Sequence, residues 1–566
     1  MRHTYILAGV LLLAMAALMW GPARQDSATV DETTFLSAGY TYWTGHRYYM
    51  VAEHPPLSQM LPALPLLFMD LKYSPNAKAL IEGRAGYPWT VPWFGPPQAV
   101  QQLFPRGRDN WYFLPLPESQ LFGQMFVYDG TNNGDEMMLA GRVVQMLLTL
   151  GVGALIFYWV RRVTTNDMAA FLALALWVFN PVTLAYGHLI ITDISVVLPF
   201  AAAILLFGIF LERPSVRLAA FCGIVTAVAV LMKYTAVTLG PIYIVMTVLH
   251  WKKLRESRTN VWKMAAVIAG AAWATVLIVY FPKWSPAPPL PQSEATTLGV
   301  PDWFQNLRAV LIPPDFFKGL ALKLAKSKIG HDAYLFGEWS QTGWWYYFPL
   351  ALFYKSPLAY VVLCTGSVIV SARAFRSSRP LEFSAWVAVV LFMFSAMTSK
   401  VNIGVRHILP VFALLCVGIG CAFHRLTSKK MKLATAGFLA WQALVTAIAY
   451  PLFLQYFSEA VGGARNGYKY LVDSNYDWGQ DAVRLKRFLE QQQINHIYLD
   501  YFGTQFNIEY LKIPNTRVNA EKARQITRGV LVVSVSQLVR PEWAWLRESR
   551  QPMTRVAHTL FVYQFP

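Results

Sequence analysis

The chain has 566 residues, of which 55% are hydrophobic and only 14% charged, with a mean hydropathy of +0.35. A water-soluble chain carries roughly 25% charge, so the composition excludes a disordered chain, a coiled coil and a string of soluble domains. The balance of 49 basic against 31 acidic residues, a net +18, would suit a nucleic-acid binder unless the positive charge is distributed for another purpose.

Eleven apolar stretches follow one another along the chain: 5–21, 137–160, 168–186, 192–211, 218–234, 235–250, 264–282, 346–370, 383–398, 404–423 and 433–455. Each approaches the ~20 residues that a helix needs to cross a bilayer, and a polytopic membrane protein is expected. The division between the fifth and sixth is slight, marked only by Lys233 and Tyr234. The cysteines Cys222, Cys364, Cys416 and Cys421 all lie in these runs and read as small core residues.

Charge orients the spans. Loops 161–167, 212–217, 251–263, 371–382 and 424–432, with Arg2, hold seventeen Lys and Arg against four acids. The short loops of the other parity hold Lys233 and Lys400 at their edges. By the positive-inside rule the basic loops are cytoplasmic, and they account for 13 of the surplus of 18. The nucleic-acid reading falls with that, and no nucleic-acid partner is expected. The first stretch follows Arg2 and His3 like a signal peptide, but Gly21-Pro22-Ala23 offers no convincing cleavage site, and an uncleaved anchor is expected.

Three long segments then fall on the outer face: 22–136, 283–345 and 456–566. The first contains short amphipathic runs at 33–46 and 56–69, expected to lie in the interface as helices, with Pro55 and Pro56 in the first turn of the second. Segment 73–135, rich in Pro, Gly and aromatics, reads as irregular structure. The tail alternates a strand-like 470–472, a helical 479–492 and strands at 496–501, 530–535 and 559–563. The expected fold is thus an all-α polytopic membrane domain, 1–455, with an extracytoplasmic α/β domain at 456–566. No phosphate-binding loop motif is present, which speaks against an ATP-driven pump.

Ionisable residues in or at the rim of spans are costly and default to functional candidates. Here they gather towards one face: Asp31 and Glu32, Glu53 and His54, Asp193, Lys233, Lys355, Arg406 with His407, and Arg142. Each alone has a plainer role. Asp31 or Asp193 would serve as a helix cap, Lys233 or Arg142 would snorkel to headgroups, and His54 would be an interfacial histidine. Lys355, about ten residues into its stretch, should face a cavity or an acid. Together they suit a carboxylate that deprotonates a hydroxyl while cations hold a leaving phosphate.

Around these residues the sequence resembles the C-type glycosyltransferases that use polyprenyl-phosphate sugars, in particular the protein O-mannosyltransferases and the lipid A aminoarabinose transferases. The resemblance rests on Val30-Asp31-Glu32, Gly39-Tyr40-Thr41-Tyr42-Trp43, Glu53-His54-Pro55-Pro56-Leu57, Thr192-Asp193 and Lys233-Tyr234-Thr235. It continues through Phe336-Gly337-Glu338, Tyr347-Phe348-Pro349 with Lys355, Asn402-Ile403-Gly404-Val405-Arg406 and the tail string 473–481. It implies that Asp31 is the catalytic carboxylate with Glu32 completing the pair, and that transfer inverts the anomeric centre without a covalent intermediate. It further implies that Arg406, Lys355 and Lys233 hold the lipid phosphate. Asp193, with Glu53, His54, His407 and Arg142, is expected to shape the sugar or acceptor pocket. Asp477 and Asp481 are expected to be helix caps outside the site.

The expected partners are a polyprenyl-phosphate-linked sugar donor, a protein, lipid or glycan acceptor, and membrane lipids. The enzyme would sit in the inner (plasma) membrane with its site extracytoplasmic. No cofactor is expected: the acids and His54 follow no metal-ligand spacing, so a metal-free base mechanism is preferred over a divalent cation. Two other readings stand beside this one. The first is a lipid or solute transporter with an outward-facing polar site. The second is a non-catalytic scaffold.

Overall fold

The computed structural model describes residues 2–45, 48, 50, 51, 53–82, 118–257, 259–283, 313–374 and 380–566. Much of segment 73–135 and the first half of 283–345 lie outside these residues. The chain is a multi-pass membrane protein. Among the described residues six helices are long and apolar enough to cross a membrane: His3–Gln25, Gly134–Thr164, Thr192–Glu212, Val261–Tyr280, Val405–His424 and Lys429–Ala449. Five shorter apolar helices occupy the remaining stretches.

Two of the expected continuous spans are interrupted, and the slight division between the fifth and sixth stretches is a full break, each for local reasons. The helix Val216–Met232 stops at Lys233, which is extended (φ −158°, ψ 131°) before a 3-10 turn, Tyr234–Thr238, leads into Leu239–Leu249. Residues 346–370 divide into Tyr347–Lys355 and Leu358–Arg373. Pro357 has no N–H and pushes Ser356 into an extended conformation (ψ 145°). Residues 168–186 divide at Asn180-Pro181, where the Asn180 side chain caps a new helix. Such breaks leave backbone groups and side chains free to build a site.

The amphipathic run near residue 33 forms the helix Val30–Trp43, but most of it is buried, so it does not lie on a surface with one face free. Gly39 is the reason it packs so closely: a Cβ there would stand 1.9 Å from the Gln59 carbonyl oxygen. The second run becomes a single turn, Leu57–Met60, and a 3-10 segment, Leu64–Phe68. The second half of the second outer segment holds the helix Pro314–Ile329 and a hairpin of β1 (Ala333–Leu335) and β2 (Glu338–Ser340).

In the tail, residues 470–472 are not a strand; Tyr470 ends a 3-10 turn, and its carbonyl accepts the Phe336 N–H. The tail strands are β3 (Ile497–Asp500), β4 (Asn515–Arg517), β5 (Gly529–Ser534), β6 (Thr554–Val556) and β7 (Leu560–Phe565). They form one mixed sheet in the order β4-β3-β5-β7-β6, with β3 parallel to both β4 and β5. Alternation along β5 sends Val530 and Val532 into a core shared with the helix Ala482–Gln491, and Leu531 and Val533 into the cluster that continues through the membrane helices. Both faces are covered, as the parallel pairs require.

One ion pair aims the helix that carries Asp31. Arg142, inside Gly134–Thr164, donates Nε and Nη2 to Glu32 at 2.9 and 2.7 Å. Its other N–H groups go to the carbonyls of Ala23, Asp26 and Ser27 at 2.9, 2.7 and 3.2 Å. Glu32 also accepts the N–H groups of Thr29 and Ile190. Burial would raise its pKa, but Arg142 and these N–H groups hold it below the ordinary carboxylate range. Glu32→Gln leaves the Arg142 charge buried and unpaired. It should cost about 3–5 kcal/mol of stability, seen as a lower thermal midpoint in detergent; an unchanged midpoint would refute this role.

Candidate functional site

Asp31 and Asp193 both sit in the first turn of their helices, Val30–Trp43 and Thr192–Ser195, where the helix dipole favours a carboxylate. Neither is the N-cap; Thr29 and Ile191 hold those positions. Between the two acids lies Arg406. Gly404 is extended, a 3-10 turn Val405–Ile408 follows, and only then does the helix Leu409–His424 begin. Arg406 thus projects from an irregular start. Its Nη1 reaches Asp31 Oδ2 at 3.1 Å and Asp193 Oδ2 at 3.3 Å. Lys233, freed from its helix, donates to Asp193 Oδ1. The result is one chain of alternating charge, Asp31–Arg406–Asp193–Lys233.

The two acids differ in access. Both Asp193 oxygens are engaged and its side chain is 3% exposed, whereas Asp31 is 27% exposed. Asp31 Oδ1 has no hydrogen-bond partner among the described residues. Burial raises the Asp31 pKa above the ordinary carboxylate value, with Arg406 opposing that rise and Asp193 adding to it. A carboxylate with one uncommitted oxygen and elevated basicity is suited to accept a proton.

A second cluster adjoins the first. Lys326, on Pro314–Ile329, donates to Glu53 Oε2 at 2.9 Å and Oε1 at 3.2 Å. His54 stacks edge-on to Phe35 at 5.2 Å. Burial, outweighing Glu53, pushes its imidazole down to about 3, so it is neutral at pH 7. Lys323, on the same helix, makes no direct ion pair among the described residues, and burial followed by repulsion from Lys233 brings it down to about 8. His407 stacks on Phe348 at 6.2 Å and is within electrostatic reach of Asp193 and Lys233. Counting Asp31, Asp193 and Glu53 against Arg406, Lys233, Lys326 and Lys323 leaves one positive charge, which Asp473, within electrostatic reach of Arg406, offsets.

Three expected site residues are elsewhere. Glu32 does not pair with Asp31 as a second reactive carboxylate, because Arg142 and two backbone N–H groups occupy both its oxygens. Arg142 is correspondingly spent and forms no part of a pocket. Lys355 does not face a phosphate. Its ammonium donates to the carbonyls of Leu454, Tyr456 and Asn475 at 2.9, 2.5 and 2.7 Å and lies over the Phe457 ring at 4.4 Å. Three donors meet three acceptors, and nothing remains for a ligand.

The tail string, by contrast, enters the site. Ser474 Oγ accepts Arg406 Nε at 3.1 Å, and the Trp478 ring lies 4.1 Å from the guanidinium carbon. Asn475 Oδ1 accepts the Val405 N–H at 2.8 Å. Asp481 holds the N-cap position of Ala482–Gln491, as expected, but its side chain makes no capping hydrogen bond, and Asp477 is not a cap. Asp477 accepts the N–H groups of Ser536 and Gly479, and burial pushes its carboxyl up to about 8. Asp481 binds Arg484, Gln455 and Thr559, and Arg484 continues to Asp26, which binds His188. None of Ser474, Trp478, Asp26, His188, Lys323 or Lys326 stands out by composition; the family-like string at 473–481 was the one available signal.

Lys355→Met removes the donor shared by the Leu454, Tyr456 and Asn475 carbonyls and should lower the thermal midpoint in detergent; an unchanged midpoint would refute that structural role. Glu53 offers a pH test. Burial raises its pKa, but Lys326 and its neighbours depress it below the ordinary 4.5 overall. A depressed acid stabilises the fold above the unfolded-state pKa and loses that contribution as pH falls towards the folded value. Glu53→Gln should therefore flatten the decline of the thermal midpoint below about pH 4.5, and an unaltered decline would exclude the pair as its source.

Residues 133–280 match the family model described as dolichyl-phosphate-mannose-protein mannosyltransferase. That stretch contains Asp193 and Lys233 but neither Asp31 nor Arg406. No curated protein sequence matches the chain. Among solved structures, ArnT from Cupriavidus metallidurans in the apo state is 13% identical with a TM-score of 0.45, covering 98% of this chain and 97% of that one. The same protein bound to undecaprenyl phosphate gives 12% and 0.43 over the same shares. The Archaeoglobus fulgidus oligosaccharyltransferase, tethered to an acceptor peptide with the NVT sequon, is 13% identical with a TM-score of 0.42, covering 90% of this chain and 63% of that one. The resemblance to the mannosyltransferases stated from the motifs thus holds across the matched residues.

Proposed function

We propose that the protein is an integral-membrane glycosyltransferase that moves a sugar from a polyprenyl-phosphate carrier to a hydroxyl of a protein, lipid or glycan acceptor. The active face is extracytoplasmic, in keeping with the basic loops on the opposite side, and the membrane is the inner (plasma) membrane. The observation that carries the reading is Asp31: a partly exposed carboxylate with one free oxygen, held beside Arg406 at 3.1 Å.

In this mechanism Asp31 Oδ1 accepts the proton of the acceptor hydroxyl as its oxygen bonds to the anomeric carbon. The bond from that carbon to the phosphate oxygen breaks, and the electron pair leaves with the polyprenyl phosphate. Attack from the face opposite the leaving group inverts the anomeric centre. Negative charge grows on the phosphate, and the cations Arg406 and Lys233, with Lys326 and Lys323 nearby, stabilise it. Asp193 holds Arg406 and Lys233 in place. Glu53, His54 and His407 border the sugar or acceptor pocket. The mechanism is written without a metal, because the proton and the phosphate each have a named protein partner. The family match at 133–280 and the undecaprenyl phosphate bound by ArnT agree with this donor class.

Asp31→Asn should reduce transfer from radiolabelled polyprenyl-phosphate sugars by about 10²–10⁴-fold, the usual contribution of a general base, with undecaprenyl-phosphate affinity retained. Normal transfer by the purified variant would remove Asp31 from the role. Arg406→Ala should weaken undecaprenyl-phosphate binding about tenfold or more, as loss of a charged hydrogen bond does; unchanged affinity would remove Arg406 from the phosphate.

A further inference from the structure

Holding a long arginine side chain between two carboxylates costs up to about 2 kcal/mol of rotamer entropy, so contacts that already restrain it favour the bridge. The restraint on Arg406 comes from residues more than four hundred positions beyond Asp31 in sequence. Ser474 Oγ accepts Nε at 3.1 Å, and the Trp478 indole lies under the guanidinium at 4.1 Å. These contacts leave Nη1 to the two acids.

Both restraints are themselves fixed. Ser474 Oγ donates to the Ile403 carbonyl at 2.7 Å, and the Ser474 carbonyl accepts the buried Tyr186 hydroxyl at 2.5 Å. Gly404 makes room for the hydroxyl, since a Cβ there would stand 2.3 Å from Ser474 Oγ. The Trp478 N–H donates to Gln480 Oε1 at 2.7 Å, and the Gln480 carbonyl accepts the N–H of Ser27 at 2.8 Å, four residues before Asp31. The tail thus holds Arg406 and the approach to Asp31 from one side.

Building on the assignment of Asp31 as base, we propose that Ser474 and Trp478 are positioning residues. They hold Arg406 between Asp31 and Asp193 and so set the basicity of Asp31. The charged groups that face Asp31 are Arg406, Asp193, Lys326 and, more weakly, Lys233. Among them Arg406 hydrogen-bonds to it. Burial and Asp193 raise the Asp31 pKa while Arg406 opposes them. A guanidinium released from its platform no longer opposes them fully.

The test is a titration of Asp31 in the full-length protein in lipid nanodiscs, needing no substrate. Infrared difference spectra against an Asp31→Asn background isolate its carboxyl band. Ser474→Ala and Trp478→Ala should each move the midpoint up by about one pH unit, the low end of a neighbouring opposite charge's effect. Trp478→Phe, which keeps an aromatic face, should restore most of the shift. Unchanged midpoints in Ser474→Ala and Trp478→Ala overturn the proposal. Ser474→Ala removes one hydroxyl, so it carries the test even where Trp478→Ala does not fold. Failure of the base assignment is separate: it appears as transfer by Asp31→Asn protein, whatever the midpoints do.

Discussion

Five N–H groups on Arg142 meet five acceptors, two on Glu32 and three on the carbonyls of Ala23, Asp26 and Ser27. An arginine has five such donors in a rigid fork, so the turn between the first helix and Val30–Trp43 can take few other shapes. Charge in a buried place is tolerable only when it is matched in this way. The consequence reaches the neighbouring residue. Successive residues on a helix point about 100° apart, so with Glu32 turned into the Arg142 fork, Asp31 faces Arg406. Adjacent acids in one helical turn therefore have opposite characters, one saturated and one with an oxygen unpartnered among the described residues, set by surroundings and not by residue type.

The tail supplies the second constraint. Its residues 473–481 lie against the broken helix starts, with Asn475 holding both the Val405 N–H and, through its carbonyl, the Lys355 ammonium. Lys355 binds three carbonyls there, so it acts as a staple between Tyr347–Lys355 and the tail. The buried run Arg484–Asp26–His188 ties the start of Ala482–Gln491 to the end of the first helix. Leu531 and Val533 of the sheet join the same apolar cluster as the membrane helices. The sheet is packed on the helices as part of the frame that holds the Asp31–Arg406–Asp193–Lys233 chain together.

The apolar stretches, their order and the α/β character of the tail were legible because they follow from hydropathy and periodicity, which are local. The break at Lys233 was legible as a slight division between two apolar stretches, whereas those at Pro357 and at Asn180-Pro181 fell inside stretches read as continuous. Asp31, Asp193, Lys233 and Arg406 could be singled out because ionisable groups at the rim of apolar spans need a partner or a purpose. Which of those two a given residue had was not legible. Glu32, Arg142 and Lys355 met the same criterion, yet each is consumed by hydrogen bonds within the protein. Ser474 and Trp478 escaped it altogether, since a serine and a tryptophan in a polar tail carry no sign of a distant arginine.

Composition and charge pattern thus determined on their own that the chain is a polytopic membrane protein with basic loops on one side and candidate acids and bases towards the other. Those properties are sums over many residues and tolerate error at any one of them. The tertiary structure alone decided which acid keeps an oxygen without a hydrogen-bond partner among the described residues, which cations are consumed by backbone carbonyls, and that the tail contacts Arg406. Such outcomes turn on single contacts of about 3 Å between residues as far apart as Asp31 and Arg406. At that range a hydrogen bond is made or absent with the geometry of the whole fold.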